Sequence, residues 1–298
     1  ITESSNQLIQ EAVKEMVESG GKRLRPVLVL LSSRFGNIEE KNIYYIAAAI
    51  EILHMSTLVH DDIIDEAELR RGRSTVQSKY GPKMAIFTGD YLLSSTLNVF
   101  DSYLSNKSQQ KLNKIVTLIC EGEINQFENK FNFKLSVIDY FRRIRKKTAL
   151  LFALSTYIGA YESGIRGKKL HHLYNFGLEM GMAFQIEDDL LDFTGNKKLT
   201  GKKIGQDLET GIFTLPVIML LENKKYHDKI VKIVQNDNIQ NKTTKITDLI
   251  YENNMIKKSR KIASHFINKS KFHLSQLPDN STKTFMLKIM KNQLKRNY

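Results

Sequence analysis

Two clusters of aspartates carry the clearest chemical signal in this sequence. The clusters are HDDIIDE, which contains Asp61, Asp62 and Asp65, and EDDLLDF, which contains Asp188, Asp189 and Asp192. In a helix, the first and third aspartates of each cluster lie on the same face, because residues four apart are neighbours there. Like charges at that spacing repel each other, so we expect a bound cation beside them. Carboxylate oxygens with room for water and phosphate favour Mg²⁺.

The repetition of the cluster decides between two interpretations. A single copy would favour an ordinary solvated acidic face of a helix. Two copies, each near the end of an otherwise apolar helical segment, favour a functional site. Two facing carboxylate clusters can hold several Mg²⁺ ions, and these ions would clamp a diphosphate by neutralising the charge on its oxygens.

Basic residues accompany both clusters in a consistent order along the chain. They are Lys22 and Arg25 in GGKRLRP, Arg70 and Arg71 after the first cluster, Lys147 in KKTALL, and Lys202 in GKKIGQD after the second cluster. The GGKRLRP segment opens a predicted helix, whose N–H groups and cationic side chains both suit a phosphate. Each group alone would be an ordinary exposed charge. Together they predict two diphosphate sites, one held through metal and the other through lysine and arginine.

Composition and charge reduce the number of functions that this protein is expected to have. The formal net charge is +13, but the lysines are scattered and form no block typical of nucleic-acid binding, so we expect no nucleic-acid partner. We find no continuous apolar run of 18 residues and expect a soluble protein, cytoplasmic or organellar. The single cysteine, Cys120, excludes an internal disulfide. The chain begins at Ile1 instead of Met, which leads us to expect that an upstream segment, with any targeting signal, has been removed.

Apolar residues repeat with helical periodicity along the whole chain. Ile43, Ile46, Ile50 and Leu53 recur at three- and four-residue steps and predict a helix over 40–66, and a similar stripe predicts one over 170–193. Further helices are predicted at 4–18, 24–34, 83–104, 108–128, 136–162, 213–223, 226–235, 243–253, 255–275 and 280–296. No strand alternation is evident. We therefore predict an all-α fold, with residues 1–298 forming one domain.

Several motifs together resemble one enzyme family. GGKRLRP, HDDIIDEAELRRGR, KKTALL, FQIEDDLLD and GKKIGQDLETGIFTLP, with GDYLL and EGEINQ between them, resemble the trans-type polyprenyl (isoprenyl) diphosphate synthases. The resemblance covers about residues 10–298. It implies a barrel of mostly antiparallel helices around a deep central cavity, usually in a homodimer. It also implies a prenyltransferase that joins isopentenyl diphosphate to an allylic diphosphate, releases diphosphate and makes a product that associates with membranes.

The resemblance also implies roles for individual residues. All six aspartates would bind Mg²⁺, and the catalytic set would be Asp61, Asp62, Asp65, Lys147, Asp188 and Lys202. The allylic diphosphate would be bound by Arg70, Lys147 and Lys202, with Thr148 and Gln185 near the reacting carbons. Isopentenyl diphosphate would be bound by Lys22, Arg25, His54 and Arg71. The spacing of His54 places it on the same helix face as Asp61 and Asp65, although without the family a core histidine would be the preferred interpretation.

The sequence departs from the family pattern at one segment and offers a signal for product length. Ile212 stands where the family often has a lysine, so we expect weaker binding of the leaving diphosphate without loss of activity. Lys203, which replaces a common proline, could compensate for the missing cation. Ser56 and Thr57 lie one turn before Asp61, where short-chain members commonly have a bulky aromatic residue. Their small size predicts a long product. A deeper floor could come from Phe87, Phe100 or Phe127.

Four alternatives stay open at this stage. A short-chain farnesyl or geranylgeranyl diphosphate synthase is disfavoured by the small Ser56 and Thr57. A non-catalytic subunit of a heteromeric synthase would be expected to have lost its aspartates, and this chain keeps all six. A terpene cyclase would not need the second set of diphosphate contacts. A helical nucleic-acid-binding protein would leave the aspartates unexplained.

Overall fold

The protein is built almost entirely from α-helices, as predicted. The computed structural model describes residues 6–70, 72–194, 205–236 and 238–294. Its helices are α1 (Gln7–Glu18), α2 (Leu24–Ser33), α3 (Glu40–Ile64), α4 (Val76–Tyr80), α5 (Pro82–Tyr103), α6 (Asn106–Glu128), α7 (Val137–Ile144), α8 (Leu150–Glu162), α9 (Gly167–Thr194), α10 (Gln206–Glu209), α11 (Leu215–Leu221), α12 (Lys224–Asn236), α13 (Ile239–Glu252), α14 (Met255–Ser275) and α15 (Ser281–Leu294). A hairpin of two-residue strands, β1 (Leu69–Arg70) and β2 (Arg73–Ser74), follows α3.

One predicted helix is interrupted. The sequence pattern predicted a continuous helix over 136–162, but the structure has α7, then a π-helical turn at Arg145–Ala149, then α8. A π-helical turn widens the backbone locally, and such turns are frequent at functional sites. The periodicity of apolar residues could not reveal it, because an apolar stripe persists on both sides of the insertion.

Residues 1–112 and 155–170 form one compact unit. Its centre is α3, whose Ile46, Ala49 and Ile50 have no exposed surface. By length and composition α3 could cross a membrane, with a mean hydropathy of 1.3 over its most apolar window, but half of that window is buried inside the protein. The packing of α3 against α2 and α5 therefore accounts for its apolar composition.

Local signals explain where the helices of this first unit begin. The side chain of Asn6 accepts hydrogen bonds from the backbone of Leu8 and Ile9 and so caps α1. Pro82 occupies the first turn of α5, where its missing N–H costs nothing, and Gly81 before it has a positive φ of 85°. These caps fix the start of two helices that pack beside α3.

Residues 113–154 and 171–298 form a second compact unit. Its core contains four fully buried aromatic residues, which are Tyr140, Phe152, Phe176 and Phe213. The helix α7 begins with a capping box, in which Ser136 and Asp139 exchange side-chain and backbone hydrogen bonds. That Ile1–Tyr298 make up a single domain stays a prediction.

Glycine permits close helix contacts in each unit. In the first unit, a Cβ on Gly159 of α8 would lie 2.2 Å from the carbonyl oxygen of Val29 on α2. In the second unit, a Cβ on Gly181 of α9 would lie 2.6 Å from the Cα of Ala149. Both distances are far shorter than van der Waals contact. These glycines therefore set how closely α2 approaches α8 and how closely α9 approaches the π-helical turn.

The contact at Gly159 predicts an unusual response to alanine. Alanine favours a helix over glycine by about 1 kcal/mol, so Gly159→Ala would stabilise an unconstrained helix. Because the new methyl group would overlap the backbone of Val29, we expect Gly159→Ala instead to lower the free energy of unfolding by about 1–3 kcal/mol. Urea denaturation measures this change. Ser94→Ala, at an exposed position of α5, is the control and should have little effect; equal stability of the two variants would contradict the close contact.

Candidate active site

The first aspartate cluster lies at the C-terminal end of α3. The backbone N–H of Asp65 donates to the carbonyl oxygen of Asp61 at 2.9 Å, so the helical hydrogen-bonding pattern continues one residue past the helix end. This keeps Asp61 and Asp65 on the same side of the chain, as predicted from their spacing. Asp61 is half-buried and Asp65 is exposed. The first and third aspartates therefore stay near solvent.

Asp62 has a different environment. Its side chain is buried, and both of its oxygens accept hydrogen bonds from Nε of Arg70, at 2.8 and 3.1 Å. Nη2 of Arg70 also lies 2.8 Å from Oδ1 of Asp62. Such charge-assisted contacts fix both the position and the orientation of a guanidinium group. Asp62 thus holds Arg70, a predicted diphosphate ligand, while its own role as a metal ligand stays a prediction.

Two side chains for which the sequence predicted no role connect the end of α3 to the residues that follow it. Nε2 of Gln77 on α4 donates to the carbonyl oxygens of Asp62 and Ala67, at 2.7 and 3.1 Å. The hydroxyl of Thr75 donates to the carbonyl oxygen of Ala67 at 2.6 Å. Together they tie the end of α3 to the segment that carries Arg70. Glutamine and threonine are common surface residues, so the sequence alone offered no signal for this role.

A cavity of about 450 Å³ lies in the first unit beside the cluster. His54, Asp62 and Arg70 all line it, so the structure brings two of the predicted substrate-binding residues to one hollow. Lys22 and Arg25 are not among its lining residues. Lys22 is exposed and Arg25 is buried at the start of α2. The cavity has the size of a small-molecule site.

The second aspartate cluster lies in the last turns of α9. Asp188 is exposed, and Asp192 is half-buried, with its Oδ1 accepting from the backbone N–H of Gln206 at 3.0 Å. Asp189 is buried and accepts from the hydroxyl of Tyr140 at 2.7 Å and from Nε2 of Gln185 at 2.6 Å. The second aspartate is again the buried member of its cluster.

Burial changes the ionisation of this network. Burial raises the pKa of Asp189 to about 7, and the nearby charge of Asp207 acts in the same direction. Burial and the neighbouring Asp189 also raise the pKa of Tyr140, so its phenol stays protonated and remains a donor. The carboxyl group of Asp189 can therefore hold a proton near neutral pH when no cation is bound nearby.

The network continues to the π-helical turn. The hydroxyl of Thr148 donates to Oε1 of Gln185 at 2.5 Å, so Thr148, Gln185, Asp189 and Tyr140 form one hydrogen-bonded chain. The close contact at Gly181 brings α9 to this turn one helical turn before Gln185. Thr148 and Gln185 are thus in contact, while their predicted place near the reacting carbons stays a prediction.

Lys147 projects from the same π-helical turn. Its Nζ lies 3.1 Å from Oε2 of Glu123 and 3.5 Å from Oε1 of Gln126, both on α6. Both side chains of the Lys147–Glu123 pair are mostly covered, with 26% and 21% of their surface exposed. The cation is therefore positioned by EGEINQ, a motif that resembles the family but whose residues had been given no role.

The aspartates are suited to bind Mg²⁺ when a substrate supplies further oxygen ligands. Over 6–70, 72–194, 205–236 and 238–294, no three His, Cys, Asp or Glu side chains are placed to hold an ion by themselves. Each cluster instead has an aspartate pair at positions i and i+4 whose members are half-buried, as Asp61 and Asp192 are, or exposed, as Asp65 and Asp188 are. Mg²⁺ keeps several waters and commonly binds through one or two carboxylates plus substrate phosphates. The donor set therefore fits Mg²⁺ bound together with a diphosphate.

Other predicted residues have varied positions. Arg71, Lys202 and Lys203 lie outside the described residues. Ile212 is half-buried just after α10. Ser56 is buried, with its hydroxyl donating to the carbonyl oxygen of Gly89 on α5, and Thr57 is half-buried. Of the three aromatic residues considered as a floor, Phe100 is buried while Phe87 and Phe127 are largely exposed.

The fold and these sites define the class of α-helical isoprenoid synthases, and the comparison with known proteins agrees. A model of the family described as polyprenyl synthetase matches residues 6–252. The chain therefore belongs to the polyprenyl synthetase family and is a prenyltransferase.

Individual relatives extend over nearly the whole chain. Heptaprenyl diphosphate synthase component 2 of Bacillus subtilis is 38% identical over 291 residues, which are 98% of this chain and 83% of that protein. The crystal structure of heptaprenyl diphosphate synthase from Staphylococcus aureus matches with a TM-score of 0.95 and 34% identity, over 100% of this chain and 94% of that one. A polyprenyl synthase from Caulobacter crescentus, complexed with calcium and isoprenyl diphosphate, matches with a TM-score of 0.93 and 26% identity, over 100% and 92% of the two chains.

The raised pKa of Asp189 predicts how stability depends on pH. Unfolded aspartate has a pKa near 3.9, so between about pH 4 and 7 the folded protein binds more protons than the unfolded chain. This stabilising contribution is complete below the unfolded pKa and is lost as the pH rises through about 7. In EDTA, the wild type should lose about 2 kcal/mol of unfolding free energy relative to Asp189→Asn between pH 5 and 8.

Urea denaturation at both pH values measures this difference. Asp188→Asn changes an exposed aspartate of the same cluster and should keep the trend of the wild type. A pH trend in Asp189→Asn equal to that of the wild type would show that Asp189 does not hold the proton.

Proposed function

We propose that this prenyltransferase condenses isopentenyl diphosphate with an allylic diphosphate (dimethylallyl, geranyl, farnesyl or longer) and makes a long all-trans polyprenyl diphosphate. The observation that carries the proposal is the shared architecture of the two clusters. In each, an aspartate pair at positions i and i+4 is half-buried or exposed, while the intervening aspartate is buried and holds a predicted substrate-binding residue. Membership of the polyprenyl synthetase family supports the same reaction.

The residues suggest how the reaction proceeds. Arg70, oriented by Asp62, and Lys147, oriented by Glu123, stabilise the charge on the departing diphosphate as the allylic C–O bond ionises. The aspartate pairs Asp61 with Asp65 and Asp188 with Asp192 would hold Mg²⁺, which would supply further positive charge to neutralise the departing diphosphate. The relative crystallised with calcium and isoprenyl diphosphate supports a divalent cation here. Catalysis would thus be mainly electrostatic stabilisation of separating charge.

The second half of the reaction forms the new carbon–carbon bond. Lys22, Arg25 and His54 bind isopentenyl diphosphate, whose double bond attacks the allylic cation. The oxygen atoms of Thr148 and Gln185 lie in a hydrogen-bonded pair that can stabilise this cation through their dipoles. The released diphosphate accepts the proton that is lost. No nucleophilic side chain is needed.

Product length and assembly are inferred from relatives and from small side chains. Both the Bacillus and the Staphylococcus relatives are named heptaprenyl diphosphate synthases, and the small Ser56 and Thr57 agree with a long product. The exposed apolar side chains of Ile86, Phe87 and Leu97 on α5 support contact with another subunit. We propose a homodimer. The name "component 2" supports a second possibility, that the chain is one component of a heteromeric synthase.

The first test of this function is condensation itself. With Mg²⁺, isopentenyl diphosphate and farnesyl diphosphate, the wild type should release a product longer than C20, sized by mass spectrometry. Asp61→Ala should reduce turnover about 10²–10³-fold, because charge on the leaving diphosphate is no longer neutralised there. Asp101→Ala removes an exposed aspartate on α5 and is the matched control. Near-normal turnover in Asp61→Ala would reject the first cluster as the metal site.

A second test concerns product length. Thr57 is half-buried one turn before Asp61, so it can be enlarged with less disruption than the buried Ser56. Thr57→Phe should shift the main product of the same assay to shorter chains, since the ring would occupy space taken by the growing tail. Thr57→Val, similar in size to threonine, should leave the products unchanged. An unaltered product distribution in Thr57→Phe would show that the tail does not pass this residue.

A further inference from the structure

The loop between α1 and α2 contains an unusual backbone conformation. Arg23, which immediately precedes α2, has φ 45° and ψ 38°, in the left-handed region that disfavours residues with a side chain. The two residues before Lys22 are glycines with positive φ, 78° at Gly20 and 139° at Gly21. Glycine would therefore be the easier choice at position 23 as well. The presence of arginine there indicates that its side chain contributes something that offsets the strain.

The side chain of Arg23 connects three elements. Its Nη1 lies 2.6 Å from Oε1 of Glu51 on α3, and its Nη2 donates to the carbonyl oxygen of Val17 in the last turn of α1 at 2.7 Å. The ion pair is partly covered, with 30% of the Arg23 side chain and 14% of the Glu51 side chain exposed. Both terminal nitrogens are thus engaged by protein atoms. Arg23 therefore holds the loop between α1 and α2 in place and does not act as a phosphate ligand. We call the Arg23–Glu51 ion pair the clip.

The clip lies between residues proposed to bind one substrate. Lys22 directly precedes Arg23, and Arg25 lies in the first turn of α2. On α3, Glu51 is three residues before His54 and so lies on the same helix face. Arg23, Glu51 and His54 all line the cavity beside the first aspartate cluster. A single ion pair therefore fixes Lys22 in the loop, and Arg25 at the start of α2, relative to the helix face that carries His54.

We propose that Glu51 and Arg23 are positioning residues for isopentenyl diphosphate. Through their ion pair they keep Lys22, Arg25 and His54 in the relative positions that bind the substrate. They do not contact the substrate themselves. This inference rests on the proposed function, because it takes from it the substrate that those three residues bind. The proposal predicts that loss of the ion pair weakens the binding of only one of the two substrates. Affinity for isopentenyl diphosphate should fall, while affinity for the allylic substrate, bound by other residues, should not.

The test separates the two substrates kinetically. Glu51→Gln keeps the shape and an acceptor but removes the charge, and it should raise KM for isopentenyl diphosphate about tenfold, the loss expected for one charge-assisted hydrogen bond. KM for farnesyl diphosphate and kcat should stay within about twofold of the wild type. The control is Glu162→Gln, which changes a carboxylate of the same unit that links helices by accepting from Ser105. It should alter neither KM.

A second variant distinguishes the effect of losing the Arg23–Glu51 ion pair from the effect of relieving backbone strain at residue 23. Arg23→Gly relieves the left-handed conformation but removes the ion pair, so thermal stability should be largely kept while KM for isopentenyl diphosphate rises as in Glu51→Gln. The inference would be overturned if KM for isopentenyl diphosphate were unchanged in both variants, or if KM rose equally for both substrates. Condensation by the wild type would still support the proposed function in either case. Absence of condensation by the wild type would overturn the proposed function and this inference with it.

Discussion

The geometry of an α-helix imposes one constraint on which both aspartate clusters depend. Residues four apart share a face, whereas the residue after the first lies about 100° around the helix. The first and third aspartates can therefore face a cation together only if the second turns elsewhere. Asp62 and Asp189 both do so, since each is buried and hydrogen-bonded within its own unit. Under the proposed function, the repeated sequence pattern would provide a pair of carboxylates for Mg²⁺ and an inward carboxylate that positions a predicted substrate-binding side chain.

The two inward carboxylates are stabilised differently. Removing a charged carboxylate from water is costly unless it is paired and hydrogen-bonded. Asp62 has the guanidinium of Arg70, so its charge is compensated directly. Asp189 has two neutral donors, Tyr140 and Gln185, and burial raises its pKa to about 7. The first cluster therefore has a compensated anion at its centre, whereas the second has a carboxyl group whose charge depends on pH and on any nearby cation.

Sequence reasoning predicted what repeats locally and missed what joins distant parts of the chain. The helices were predicted because apolar periodicity is local, and the pairing of Asp61 with Asp65 follows from spacing alone. The contacts of Glu51 with Arg23, of Tyr140 with Asp189 and of Glu123 with Lys147 join residues far apart in sequence. No periodicity reports such contacts. The π-helical turn was missed for a related reason, since one wide turn leaves the apolar pattern on either side intact.

Arg70 and Lys147 are each positioned in advance, within their own unit. A guanidinium has five N–H donors, and Asp62 engages those on Nε and Nη2 of Arg70, so Nη1 can contact a phosphate without breaking the ion pair. Nζ of Lys147 lies 3.1 Å from Oε2 of Glu123 and 3.5 Å from Oε1 of Gln126. A diphosphate that reaches either group would meet a cation whose side-chain freedom has already been lost in folding. The entropic cost of ordering them is therefore borne by the fold and not by substrate binding, which is how rigidly held charges stabilise a leaving group effectively.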